Sequence, residues 1–210
     1  MRKIYVVGPE KHYSKWIENH ELTDNLAEAD IVMFTGGEDV DPAFYGCKPH
    51  RYTYYNTARD IREKEIFDQV RSDQLCVGIC RGSQFMCVMN GGKLVQHVNG
   101  HAMRGTHPIY NMKDSDISYE ITSTHHQMQY PFNLEEGVDY DTLYFTSGRS
   151  DFYEGDKINY LPYEPEIVIY HVKGKPKCLA IQGHPEMMTY PDTPTIPMLN
   201  RLIDEYVTKK

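Results

Sequence analysis

Residues 76–84 read Cys76-Val77-Gly78-Ile79-Cys80-Arg81-Gly82-Ser83-Gln84, and the reading of this stretch decides the fold. Leu75 to Ile79 is apolar and β-prone, a short buried strand. From Ser83 to Met89 the period turns helical, with Phe85, Met86 and Met89 at helix spacing. Cys80 falls on the turn between them. Gly78-Ile79-Cys80-Arg81-Gly82 is G-x-C-x-G, the thiol counterpart of the G-x-S-x-G nucleophile elbow. Such a turn needs close backbone approach and leaves no room for side chains beside the nucleophile, which is what glycine permits. A thiol at a helix N-terminus also feels its positive end, which favours the thiolate. A lone cysteine is usually one more buried thiol. The flanking glycines and the strand-to-helix switch point instead to a nucleophile, which then needs a base and an oxyanion site.

Upstream, Ile4 to Val7 reads as a first strand. Ser14 is placed to cap a short helix through Glu18, and Asn25 to Ala29 is short and helix-prone. Ile31-Val32-Met33-Phe34 is a continuous apolar strand of the kind buried on both faces of a parallel sheet. It ends in Thr35-Gly36-Gly37. A Gly-Gly at the carboxyl end of such a strand is either a tight turn or, in the binding crevice of an open α/β sheet, an oxyanion donor. Phe44 to Thr57 is a long Tyr-rich loop. Arg59 to Val70 is a helix on which Arg59, Asp60, Arg62, Glu63, Lys64 and Glu65 read as solvated charges.

Downstream, Asn90-Gly91-Gly92 closes the elbow helix, and Lys93 to Val98 is a strand. Short strands with polar gaps follow at His107 to Met112 and Tyr119 to Ser123. Next come Thr124-His125-His126-Gln127, then strands at Leu143 to Thr146 and Ile167 to Tyr170. Adjacent histidines in a strand point to opposite faces, so His125 and His126 do not both enter one site from regular backbone. Lys173-Gly174-Lys175 turns into a strand from Cys178 to Gln182, and Thr195 to Val207 is the closing helix. His184 and Glu186 flank Pro185 and share a face if the backbone is extended. Two readings stand for them: a pair kept for stability, or the base and orienting acid that Cys80 requires.

Composition narrows the classes. The 210 residues fit one α/β domain spanning 1–210, and the net charge of −8 argues against nucleic acid or an anionic membrane as partner. No run of apolar residues is long enough for a transmembrane helix, and the N-terminus is a first strand rather than a signal peptide. Five cysteines without C-x-x-C spacing fit a reducing, cytoplasmic setting. Ten histidines include no H-E-x-x-H or comparable pair, so no metal is expected.

The elbow, taken with the later Gln182-Gly183-His184-Pro185-Glu186, resembles the class I glutamine amidotransferase-like superfamily. Within it, Gly36 to Pro42, Tyr45-Gly46, Arg59-Asp60 with Glu63, Gly91 to Gln96 and Ser123 to Gln127 resemble the γ-glutamyl-γ-aminobutyrate hydrolase branch, peptidase family C26. The resemblance implies a flavodoxin-like α/β fold: a mostly parallel central sheet flanked by helices, with an antiparallel extension. It implies Cys80 as nucleophile, His184 as general base and acid, and Glu186 as the residue orienting His184. It also implies an oxyanion hole from the Gly37 and Arg81 amides beside Gly36. Gln84 would line a glutamyl pocket, and the His126-Gln127 strand would hold the α-amino acid end of the substrate. The implied reaction is hydrolysis of a small-molecule γ-glutamyl amide through a thioester, with no cofactor. Two other readings stay open. One is a glutaminase subunit serving a separate synthetase chain, which the absence of a fused acceptor domain disfavours. The other is a non-catalytic binding protein. A homodimer is compatible with all three. The sequence departs from the family at Thr35, where proline is common, and at Gly183, where an aromatic residue is common. The latter is expected to loosen His184. The segment before Ile31 is also short, as if one strand–helix unit were trimmed.

Overall fold

Along Ile31–Phe34 the side chains alternate between two cores: Ile31 and Met33 join one, Val32 and Phe34 the other. A strand buried on both faces belongs in the interior of a sheet covered on both sides. It lies there in the computed structural model of the chain, which describes residues 1–188 and 193–207, apart from the Arg104 side chain. In chain order the elements are β1 (Arg2–Val7), β2 (His20–Leu22), β3 (Ile31–Phe34), α1 (Thr57–Phe67), β4 (Leu75–Ile79) and α2 (Arg81–Met89). Then come β5 (Lys93–Val95), β6 (His97–Val98), β7 (Ala102–Asn111), β8 (Ser118–Thr124), β9 (Met128–Tyr130) and β10 (Tyr140–Thr146). The chain continues with β11 (Tyr153–Glu154), β12 (Glu164–Tyr170), β13 (Lys177–Ile181) and α3 (Thr195–Tyr206).

Nine strands form one sheet in the order β2-β1-β3-β4-β13-β12-β10-β7-β8. It is parallel from β2 to β13 and carries an antiparallel extension through β12, β10, β7 and β8. This is the α/β architecture that the sequence predicts. One face packs Phe34, Val168 and Tyr170 against Phe67 of α1 and Phe85 and Met86 of α2; the other packs Ile4, Val77 and Leu179 against Ile196, Leu199 and Ile203 of α3. Phe34 and Phe85 stack at 5.4 Å between centroids, with Phe67 edge-on to Phe34 at 6.3 Å. Truncating a phenylalanine in such a cluster costs about 3–5 kcal/mol.

Three local expectations are corrected. No helix runs from Ser14 to Glu18. A 3-10 turn over Lys11–Ser14 leads instead toward β2, which the sequence reading missed. The reason is tertiary: Asn200 of α3 accepts from the Glu18 N–H at 2.8 Å and donates to the Trp16 carbonyl at 3.0 Å, satisfying backbone groups that a helix would have paired internally. The predicted strand Lys93 to Val98 is split at Gln96. There the backbone N–H turns to Glu154 and the side chain bonds His50 and Lys48, so β5 pairs with β9 and β6 with β11. Finally, α1 starts at Thr57 because the Asn56 side chain accepts from the Arg59 N–H and caps it.

Candidate active site

The strand β4 passes into α2 through Cys80, whose φ of 51° and ψ of −109° place a non-glycine residue at positive φ. Such backbone costs of order 1–3 kcal/mol and persists only where its surroundings over-determine it. Here they do. The Cys80 N–H donates to the Ile181 carbonyl at 2.8 Å, and the Cys80 carbonyl accepts from the Ser83 N–H at 2.9 Å and the Ser83 hydroxyl at 2.6 Å. The two glycines of the elbow are spatially required. A Cβ on Gly78 would run into the Gly82 carbonyl, and one on Gly82 into the Phe34 carbonyl.

The end of β13 carries His184 to the thiol. The Thr122 hydroxyl of β8 accepts from the His184 N–H at 2.8 Å and donates to the His184 carbonyl at 3.0 Å. Gly183 does not loosen this arrangement, contrary to expectation. A Cβ there would stand 2.5 Å from Ile121 Cγ1 and 2.6 Å from the Thr122 carbonyl, so the bare glycine lets the segment dock on β8. His184 and Glu186 do meet, with Nδ1–H donating to Oε1 at 2.6 Å. They meet through a 3-10 turn over Pro185–Met187 rather than through strand alternation. Burial pulls His184 down. Its hydrogen bonds and charge interactions with Cys80 and Glu186 win and lift it to about 10, so it is held as an imidazolium beside the thiol. Tyr13 packs near it, with ring centroids 6.3 Å apart. Burial and then the Glu186 charge raise the phenol to about 12, so it stays neutral.

Beneath the elbow lies a charge network that the sequence reading placed in solvent. Asp60 and Glu63 of α1 are buried, 0% and 5% exposed, and both bind the Arg81 guanidinium. Arg59 then bridges Glu63 at 2.8 Å, Glu38 at 2.7 Å and the Gly36 carbonyl at 2.8 Å. Asp60 also accepts from the Asp41 N–H at 2.9 Å. The network ties the loop after β3 to the elbow. Burial raises Asp60 above the usual carboxylate range, against the pull of Arg81. Thr35, at a position where the family favours proline, adds its carbonyl and hydroxyl to the groups that Arg59 touches.

A cavity of about 190 Å³ opens over Cys80, lined by Gly37, Glu38, Asp39, Tyr54, Arg81, Gln84 and residues 124–127. Gln84 donates to the Gln127 carbonyl at 3.0 Å, and the His126 ring meets Asp39 at 3.1 Å, which raises His126 above its ordinary value. Gly36 stands behind the cavity, against Tyr13 and His184. A larger groove of about 790 Å³ crosses β7, β8 and Met187–Met188; Cys80 lines the smaller cavity and not this groove.

Residues 15–139, more than half of the chain, match the Peptidase C26 family. The chain belongs to that family. A candidate glutamine amidotransferase of Mycobacterium tuberculosis is 39% identical over 69 residues, covering 32% of this chain but only 22% of that protein. A glutamine amidotransferase-like YvdE homolog of Lactococcus lactis subsp. cremoris is 26% identical over 132 residues, 53% of this chain and 69% of that one. Among solved structures, a candidate GMP synthase subunit from Thermoplasma acidophilum shares the fold with a TM-score of 0.57 at 18% identity, covering 98% of each chain. The glutaminase domain of Trypanosoma brucei CTPS, with bound acivicin, has a TM-score of 0.59 at 10% identity, covering 100% of this chain and 95% of that one.

The C26 match includes Cys80 and stops before His184, so the pairing of the two is a property of the folded chain. Of the aromatic loop in this C26 protein, only Tyr54 reaches the cavity. Tyr45 is buried in the core, and Tyr52 packs on His50 and His97. Sequence reasoning missed Tyr13 and Thr122, which carry no local signal. It had a signal for Asp60 and Glu63 in the Arg59-Asp60 family motif but read their charges as surface.

Proposed function

We propose that this chain hydrolyses a γ-glutamyl amide, glutamine or a γ-glutamyl amine, through a γ-glutamyl thioester. The observation that carries the reading is His184, bonded through Nδ1 to Glu186 at 2.6 Å and, against the pull of burial, lifted by its interactions with Cys80 and Glu186. The Cys80 thiolate attacks the side-chain carbonyl carbon. The developing oxyanion sits at the backbone amides of Gly37 and Arg81, both at the cavity wall. As the C–N bond breaks, His184 gives its proton to the leaving nitrogen, and the acyl group remains on sulfur. Water then adds to the thioester with His184 taking its proton. The C–S bond breaks, and glutamate leaves with the thiolate restored. Gln84 and residues 124–127 would hold the amino acid end. No cofactor takes part in these steps.

The fold shared with the CTPS glutaminase domain favours a second reading, in which ammonia is released for a synthetase chain. Incubating the pure protein with a panel of γ-glutamyl amides, glutamine included, and measuring glutamate separates the two. Turnover without a partner, abolished by Cys80→Ala, is the expected result. Silence toward every amide until a synthetase chain is added supports the second reading.

A further inference from the structure

The antiparallel extension encloses a group of side chains that the proposed chemistry does not use. His101, His107, His125, Glu164 and Glu166 are all buried, with Glu164 and Glu166 fully so. One ligand atom each from His101, His125 and Glu166 lies within 4.8 Å of the others. We propose that His101, His125 and Glu166 form a site for a divalent transition metal, zinc being the best match, that pins the wall of the cavity to the sheet.

The hydrogen bonds around the three residues give the first argument. His125 Nδ1 meets the Gln127 carbonyl at 2.8 Å; a carbonyl only accepts, so this nitrogen carries the proton. Its Nε2 is left as a buried lone pair with no partner. Glu166 Oε1 is held by His107 Nε2 at 2.9 Å, while its Oε2 has no partner. His101 Nε2 faces Glu164 at 3.3 Å, and its Nδ1 lies 3.3 Å from the Ser123 hydroxyl and 3.6 Å from Glu166 Oε1. His125 and Glu166 thus each have one polar atom fixed, by a carbonyl or an imidazole, and a second that is buried and unpartnered, while His101 Nδ1 beside them meets the Ser123 hydroxyl, which already donates to the His101 carbonyl at 2.6 Å. Metal-binding histidines and carboxylates are oriented by this kind of outer hydrogen bonding.

Charge gives the second argument. Two carboxylates are fully buried here, and among the described side chains neither is in contact with a lysine or arginine; Glu164 accepts from the Ser150 N–H and the Tyr153 hydroxyl at 2.8 Å, whereas Glu166 Oε2 has no partner. Buried charge without a partner is costly. A dication with Glu164 and Glu166 around it brings the charge of ion and carboxylates to zero. Two imidazole nitrogens and one carboxylate oxygen are a donor set that zinc accepts, with a fourth position left for water. Tetrahedral ligand atoms on zinc stand ~3.4 Å apart, so the group draws inward on binding.

The placement states what the ion would do. It would join the start of β7, the loop after β8, and β12. Glu166 accepts the Gln182 N–H through its carbonyl at 2.8 Å, two residues before His184. Gln127, whose carbonyl takes bonds from both His125 and Gln84, lines the cavity. The inference does not depend on which amide the protein cleaves.

The test uses the full chain carrying Cys80→Ala, because the Cys80–His184 pair would itself bind zinc. After stripping with a chelator, the protein is titrated with Zn²⁺ and with Co²⁺. Expected are one ion per chain, a rise in thermal midpoint of ~5–15 °C at saturating Zn²⁺, and X-ray absorption showing two imidazoles with only nitrogen and oxygen neighbours. His125→Gln and Glu166→Gln, shown by circular dichroism to be folded, should lose the midpoint shift. Where those variants do not fold, the absorption spectrum of the zinc-loaded chain decides. No binding, binding that vanishes with the Cys80 thiol, or sulfur in the coordination shell would overturn the proposal.

Discussion

Arg81 turns its guanidinium back beneath the elbow onto the carboxylate of Asp60, and both groups are buried. The residue after Cys80 therefore belongs, by its side chain, to the layer beneath the cavity. Replacing Arg81 by Met strands Asp60 in a dry environment and leaves Glu63 with Arg59 alone. The expected loss is about 3–5 kcal/mol, read by urea denaturation. Adding Asp60→Asn should recover part of it, since the stranded charge is removed. Strict additivity of the two changes would contradict the pairing.

The five cysteines should alkylate unequally. Burial pushes the Cys76 thiol far up and Cys87 to about 12. Cys80 has the His184 imidazolium beside it. Mass spectrometry after a short iodoacetamide pulse should find Cys80 labelled well ahead of Cys76, Cys87 and Cys178. Equal labelling of these four sites would remove the activated thiol.

Stability should depend on pH through His184. Its folded value, about 10, lies above the ordinary value of 6.5. The folded state therefore binds the proton more tightly than the unfolded chain. The resulting stabilisation is complete below pH about 6.5 and is lost as pH rises through about 10. The gap in thermal midpoint between the native chain and His184→Asn should be widest near pH 6 and narrow toward pH 10. A gap that widens with pH would reverse the sign of the argument.

Glu186→Gln keeps the shape of the orienting group and removes its charge. Without that carboxylate, the 2.6 Å bond to His184 is reduced to a neutral one at best, and the electrostatic partner is lost. We expect kcat/KM toward the best γ-glutamyl amide to fall ~10²–10⁴-fold. The pH profile of Cys80 alkylation should shift upward as well, a change that mere loosening of the fold would not produce.

Gly183→Ala should destabilise the protein by about 1–3 kcal/mol, because its Cβ meets Ile121 and the Thr122 carbonyl in a packed interior. A neutral or stabilising outcome in thermal denaturation would mean that the turn into His184 does not press on β8.

The elbow was legible because its requirement is local. Gly78 and Gly82 flank Cys80 within one turn, and the clashes they avoid involve Gly82 itself and Phe34 of the strand next to β4. The apolar runs Ile31–Phe34 and Ile167–Tyr170 were equally legible, since a strand buried on both faces must be apolar throughout. Asp60 and Glu63 were misread because a charge on a helix carries no mark of what faces it. Only the position of Arg81 makes them interior. Ser14 misled for the same reason: the bonds that displace its helix come from Asn200, far along the chain.

By itself, then, the sequence determined the sheet with helices on both faces and the sharp turn at Cys80, which follow from residue periodicity and from short-range sterics acting over a few positions. It singled out His184 and Glu186 as partners for Cys80 only through the family resemblance. Tertiary structure alone decided which groups those residues meet. It set Thr122 and Tyr13 around His184, and it turned surface-looking charges into a buried network. It also drew His101, His125 and Glu166 together from positions with no metal-binding spacing. Hydrogen bonds and ion pairs across the sheet depend on strand order and register, and no local pattern encodes the distance between β7, β8 and β12.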